Sequence, residues 1–314
     1  MKNIFAFDLD GTLLDSSGKI PQSAKDAVKL IHSKGDFAVI NTGRHYKATH
    51  EIASDINIDY SINLNGGEIF DFNSNLSLWR KRYSYDESLE LLKQAYAHKT
   101  PVYIYAEDFI YLWELGPVNE NLKDYFVTYF TYTKFKVLEP ELRPDDVMSF
   151  IEKNNLKINK LIFEYVPKIS KNENYEDMFN DLTDSISHIS SYYKGIEGYN
   201  QVETSPLNTN KYLGMLKLKE ILSLPNSSKI VFFGDNYNDI QALEESDFSY
   251  VMSDAPDEVK EYANKVTKIN DQDGILFGVE DFYNNIEKKL STSKKPTSKK
   301  EKEKVKKEKL KLKK

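Results

Sequence analysis

The chain contains no cysteine. Disulfide bonds, zinc–thiolate sites and thiol nucleophiles are thereby excluded, and the composition fits a reducing compartment. Long apolar runs are missing as well. No stretch approaches the ~18 consecutive apolar residues of a membrane span. The N-terminal apolar run from Ile4 to Leu9 is interrupted by Asp8 and is too short for a signal-peptide core. A soluble, cytoplasmic protein is expected, with no obligate protein partner implied. Internal repeats are absent, and the one low-complexity segment is a basic C-terminal tail.

What is present is enough to fold. The 314 residues suggest about two domains, and 40% hydrophobic with 13% aromatic residues supply a core without covalent staples. The net charge of −6 hides an asymmetry. Residues 288–314 hold 14 Lys and 3 Glu, which leaves 29 of the 43 basic and 46 of the 49 acidic residues for 1–287, a net of −17. A like-charged block with few apolar residues cannot bury enough surface to order itself, so 291–314 is expected to be disordered. The acidic body argues against general nucleic-acid binding. The tail alone offers a weak contact for RNA or an anionic surface.

The apolar pattern alternates strands and helices. Residues 3–9 read as a buried strand ending in acids. Ala24, Ala27, Val28 and Ile31 have helical spacing, and Gly35 ends that helix. Phe37 to Ile40 is a second strand, followed by Asn41-Thr42-Gly43-Arg44, and residues 46–53 look helical. Ser61 to Leu64 is strand-like and runs into the turn signal Asn65-Gly66-Gly67. Near Tyr83 the pattern changes to a helix over 86–97, a hairpin of Val102–Tyr105 with Phe109–Trp113, and a strand over 160–166. After residue 204 the first pattern returns, with a helix over 211–222 and a strand over 229–233 that ends in Gly234-Asp235. The fold class expected is α/β: a Rossmann-like core with a parallel sheet over 1–82 and 204–290, and an inserted α+β domain over 83–203.

Four polar clusters each follow a predicted strand or open a helix. In an open parallel sheet such positions gather at the carboxyl edge, where ligands bind. Asp8 and Asp10 are like charges one residue apart past a strand end. Strand alternation points them to opposite faces, and a turn at Gly11 brings them together. Close carboxylates are costly without a cation, which implies a divalent metal, and magnesium suits oxygen ligands and phosphate substrates. A solvated Asp-rich loop is the plain alternative.

Phe7-Asp8-Leu9-Asp10-Gly11-Thr12-Leu13 resembles the first motif of the haloacid-dehalogenase-type (HAD) phosphatases. Asn41-Thr42-Gly43-Arg44 resembles the second motif, Lys211 at a helix start the third, and Gly234-Asp235-Asn236-Tyr237-Asn238-Asp239 the fourth. The insert lies between the second and third motifs, where the large (C2B-type) cap of the Cof-like sugar-phosphatase subgroup belongs. Asn65-Gly66-Gly67, Ala255 to Lys260 and Asn270 to Gly274 resemble that subgroup's further signatures, so the likeness covers about 1–285. It implies a phosphoric monoester hydrolase acting on small phosphorylated metabolites. Asp8 is the implied nucleophile and Asp10 the acid and base. Thr42 binds a phosphoryl oxygen, although a helix N-cap explains a threonine there equally well, and Lys211 offsets charge on Asp8 and the phosphoryl group.

The same resemblance implies a magnesium ion on Asp8, Asp235 and Asp10, the last through the carbonyl that Gly11 leaves free. It implies substrate contacts from Gly43, Arg44, Asn65, Gly66 and Asn238, with Asp239 holding Lys211 or a metal ligand from behind. Lys217 and Lys219 are weaker candidates for the role of Lys211. Two departures stand out: Tyr212 where the family usually has glycine, and Ser253-Asp254 where it usually has Gly-Asn. The many aromatics of the insert, among them Tyr103, Tyr105, Tyr111, Trp113, Tyr125, Phe126, Tyr129, Phe130 and Tyr132, read first as core packing and second as a substrate stack. Phosphomutases share all four motifs and stay open as an alternative, as does a non-catalytic relative that binds polyanions through the tail.

Overall fold

The computed structural model describes residues 2–116, 118, 134–165, 186–192 and 200–287. The Lys-rich tail 291–314 and the aromatics Tyr125, Phe126, Tyr129, Phe130 and Tyr132 lie outside the described residues. The chain divides into two compact units, one of residues 1–39 and 222–314, the other of 40–221.

The first unit is a parallel α/β layer. Ile4–Phe7 pairs in parallel with Ile230–Gly234 in the register Ile4↔Ile230 to Phe7↔Phe233, and Ile230–Gly234 pairs in parallel with Phe248–Val251. Both central strands are buried along their whole length. That is why they read as continuous apolar runs and not as alternation. Phe233 continues the packing, its ring 5.1 Å from Phe7 and 4.8 Å from Tyr250. The predicted helix forms as Gln22–Ser33, burying Ala24, Ala27, Val28 and Ile31. It lies against Gly274–Asp281. Asn270 donates its amide to the Leu14 carbonyl at 2.6 Å, and Asp271 accepts the Ser16 N–H at 2.9 Å. The C-terminal signature thereby braces the chain just after Leu13.

In the second unit, Tyr60–Asn63, Glu68–Asp71 and Leu76–Arg80 form an antiparallel meander. A six-stranded sheet carries the rest, in the order Ile186–Tyr192, Asn200–Pro206, Ile158–Tyr165, Val102–Ala106, Phe109–Trp113, Lys134–Leu138. It is antiparallel except at its last pair. One face packs Leu91, Leu92 and Ala95 of helix Tyr85–His98 and Val147 and Ile151 of helix Pro144–Lys153 against Ile104, Tyr111 and Trp113. Tyr103, Tyr105, Ile110 and Leu112 lie on the other face with Leu64. Tyr103, Tyr105, Tyr111 and Trp113 are all buried, so these four pack the core. The Ser84–Glu87 capping box explains why helix Tyr85–His98 starts where it does.

Several local readings shift. The expected helix over 46–53 is a short 3₁₀ turn, Tyr46–Ala48, followed by His50–Ile56. The meander strands Glu68–Asp71 and Leu76–Arg80 and the helix Pro144–Lys153 were not anticipated. The Asn65-Gly66 turn is tighter than a simple Asn-Gly step. Leu64, Asn65 and Gly66 all have positive φ, at 53°, 53° and 99°. A Cβ on Gly66 would meet the Asn210 carbonyl carbon at 2.6 Å. Glycine is therefore required there both for its backbone angle and for the close approach of the residue before Lys211.

Candidate active site

In the first unit the chain turns sharply after Asp8. The Leu13 and Leu14 amides donate back to the carbonyls of Asp8 and Leu9 at 3.1 and 2.9 Å, and Gly11 takes φ +82°. Asp8 is buried, whereas Asp10 is exposed. Carboxylate oxygens of Asp8, Asp235 and Asp239 lie within 4.8 Å of one another. Asp10 is not part of that carboxylate set. All donors are carboxylate oxygens, a set that fits a hard divalent cation such as magnesium. Three such groups this close repel one another unless a cation or proton joins them.

Two contacts fix Asp235. Thr12 donates its hydroxyl to Asp235 Oδ1 at 2.7 Å. Asp239 Oδ2 accepts the backbone N–H groups of Asp235 and Asn236, both at 3.0 Å. Asp239 thus grips the loop that presents Asp235. Thr12 was not singled out from the sequence, although it sits inside the first motif. Asn238 is half-buried on the same loop. Asp254 of the Ser253-Asp254 departure is exposed.

In the second unit, Thr42 is buried and its Oγ1 accepts the Arg44 N–H at 3.2 Å. The hydroxyl closes a local bend, but no helix starts here: the next helical turn, Tyr46–Ala48, is capped by His45, so the helix N-cap expected of Thr42 is not found. The Leu64 and Asn65 amides donate to the Arg44 and Thr42 carbonyls, setting the Asn65 turn against the second motif. A Cβ on half-buried Gly43 would stand 3.1 Å from Asn65 Oδ1, so the two loops touch. Asn210 Oδ1 accepts the Leu213 N–H at 2.8 Å and caps the helix Lys211–Ile221, where Lys211 is 1% exposed. The buried Asn41 donates its amide to the Lys211 carbonyl at 3.0 Å, tying the end of the second-motif strand to that helix start. Tyr212, the departure from the family's glycine, is half-buried, and Lys217 pairs with Glu220 on the surface.

His45, which the sequence reading passed over, is buried beside Arg44. Its Nδ1 accepts the Lys47 N–H at 3.3 Å, which leaves Nε2 to donate to the Glu107 carbonyl at 3.0 Å. Around it Arg80 pairs with Glu68, Glu107 and Asp108 at 2.6, 2.8 and 3.2 Å. Burial pushes the His45 imidazole down to about 4. A group whose folded value is depressed stabilises above its unfolded value, here near 6.5, and loses that stability as pH falls toward 4. His45→Gln should therefore remove about 2 kcal/mol of the stability difference between pH 7 and pH 5. Urea titrations of both proteins at the two pH values check this, and equal pH dependence would contradict it.

A family model for haloacid dehalogenase-like hydrolases matches residues 5–279. The Bacillus subtilis protein named 5-amino-6-(5-phospho-D-ribitylamino)uracil phosphatase YcsE is 26% identical over 87% of this chain and 92% of its own length. Pyridoxal phosphate phosphatase YbhA of Escherichia coli is 25% identical over 87% of this chain and 95% of its own. The solved HAD subclass IIB sugar phosphatase BT4131 superposes with a TM-score of 0.71 at 21% identity, covering 90% of this chain and 99% of its own. The chain belongs to the haloacid dehalogenase-like hydrolase family and is an enzyme of its Cof-like, phosphatase-type branch.

Proposed function

We propose that the protein hydrolyses small phosphorylated metabolites of the sugar-phosphate kind, with magnesium, through an aspartyl-phosphate on Asp8. The observation that carries this reading is the carboxylate set of Asp8, Asp235 and Asp239 within 4.8 Å, built on the first and fourth of four motifs that occur in family order. Asp8 attacks phosphorus in line as the P–O bond to the alcohol breaks. Asp10 gives the leaving oxygen its proton, then takes one from the water that attacks the aspartyl-phosphate. Thr42 donates to a phosphoryl oxygen and Lys211 offsets its charge, while Gly43, Arg44, Asn65, Gly66 and Asn238 contact the substrate. Asp8, Asp235 and the Asp10 carbonyl would hold magnesium, which would supply the positive charge that lets two anions approach. Residues 83–203 serve as the cap over a core of 1–82 and 204–290.

The relatives named as phosphatases of a ribitylaminouracil phosphate and of pyridoxal phosphate widen the candidate substrates beyond sugars. A cytoplasmic location fits such metabolites, and no helix among the described residues is long and apolar enough to cross a membrane. The Lys-rich tail adds a weak polyanion contact.

The test is phosphate release from a panel of sugar, ribityl, nucleotide and pyridoxal phosphates, with magnesium and with chelator. Release that needs magnesium supports the reading, and the ranking identifies the substrate class. Phosphotransfer to a bound sugar without net phosphate release would replace the reading with a phosphomutase.

A further inference from the structure

Lys160 lies on the strand Ile158–Tyr165 and is 2% exposed. Its Nζ stands 2.6 Å from Glu203 Oε2 and 3.3 Å from the Gly43 carbonyl, with the Tyr105 ring centroid 5.6 Å away. Glu203 Oε2 also accepts the Asn65 side-chain amide at 2.9 Å. A buried ammonium and its carboxylate therefore join four separate pieces of chain. These are two neighbouring strands of the six-stranded sheet, the loop after Thr42, and the left-handed turn at Asn65.

Holding those pieces together does not need charge. Removing two ions from water costs several kcal/mol each, and well-packed apolar side chains often hold such a place as firmly. The pair also has capacity left over. An ammonium has three N–H donors, and two are used by Glu203 and Gly43. Among the described residues, the third takes no hydrogen-bond acceptor and Glu203 Oε1 accepts no hydrogen bond, while the Glu203 side chain is 20% exposed. One donor and one acceptor are thus left unused within the pair, next to the residue that follows Thr42. A hydroxyl both donates and accepts, so vicinal hydroxyls match this pair in a way that a flat apolar ring or a bare acyl group does not.

We propose that Lys160 and Glu203 form a specificity pair that reads hydroxyl groups on the alcohol part of the phosphate ester. This rests on the proposed binding of the phosphoryl group by Thr42, since Gly43 is the next residue along the chain. The carboxylate accepts from one hydroxyl and the ammonium donates to its neighbour.

The experiment compares kcat/KM for a hydroxylated ester, the faster of glucose 6-phosphate and ribitol 5-phosphate, with that for acetyl phosphate, which has no hydroxyl. It uses the full chain, Lys160→Met, and Lys160→Met with Glu203→Gln. The single variant leaves a buried carboxylate unpaired and is expected to lose melting temperature, and the double variant regains it. The ratio of the two kcat/KM values should fall about 10- to 100-fold in both variants, the range expected for lost hydrogen bonds to charged groups. Persistence of the fall in the double variant separates substrate reading from folding. An unchanged ratio, with both substrates losing equally or neither losing, would overturn the proposal and leave the pair structural. Absence of hydrolysis of both substrates by the unsubstituted enzyme would instead overturn the phosphatase reading, and this pair's role with it.

Discussion

Asp8→Asn should lower phosphate release by about 10⁴-fold or more while leaving the fold intact. Loss of a covalent nucleophile removes the reaction path itself, and such losses in other enzymes run to that size or beyond. The amide has nearly the shape of the carboxylate, so packing around the buried Asp8 is kept. The electrostatic consequence for stability has the opposite sign to the effect on activity. Asp8, Asp235 and Asp239 offer oxygens within 4.8 Å of one another. Neutralising one relieves like-charge repulsion when no cation is bound. The melting temperature of Asp8→Asn in chelator should equal or exceed that of the unsubstituted protein. Loss of activity together with a lowered melting temperature would show misfolding and not a missing nucleophile.

Gly11→Ala should weaken magnesium binding about 10- to 100-fold, the usual cost of disturbing what orients a metal ligand. Two effects combine at this residue. Its φ of +82° is unfavourable for any side chain, at about 1 kcal/mol. Its new Cβ would also stand 2.8 Å from Asp235 Cγ, so the carboxylate must move. Asp235 has little room to do so, because Thr12 holds Oδ1 and Asp239 holds the backbone N–H. The measurable signature is a higher magnesium concentration for half-maximal rate, with most of the maximal rate recovered at saturating metal. A lower maximal rate at unchanged magnesium dependence would contradict this, and would place Gly11 in substrate handling.

The two substitutions probe the part of the molecule that was plain in the sequence. A fully apolar strand running into Asp8-Leu9-Asp10-Gly11 announces both a buried parallel strand and a charged turn at its end. Gly234-Asp235 after Ile230 to Phe233 repeats the announcement. Gly35, with φ +80°, lies just past the end of the first helix, where the apolar spacing placed the stop. What escaped notice depends on partners far apart in the chain. Lys160 meets the Gly43 carbonyl across 117 positions. No local pattern marks one lysine among 43 basic residues as buried. The Arg80 cluster with Glu68, Glu107 and Asp108 is of the same kind. Thr12 looked like motif filler because its partner, Asp235, arrives from 223 positions away. The meander of Glu68–Asp71 and Leu76–Arg80 was missed for another reason: its outer strand keeps Leu76 and Leu78 exposed, so apolar periodicity did not point to a buried face.

Covalent chemistry at Asp8 is the central claim, and trapping tests it most directly. The enzyme is mixed with acetyl phosphate and magnesium, quenched in acid, digested, and its peptides weighed. A phosphoryl group on the peptide that contains Asp8, lost on brief treatment with hydroxylamine as acyl phosphates are, is the predicted result. Rapid phosphate release with no phosphoryl group on that peptide at any quench time, or a phosphoryl group on a different residue, would contradict the account.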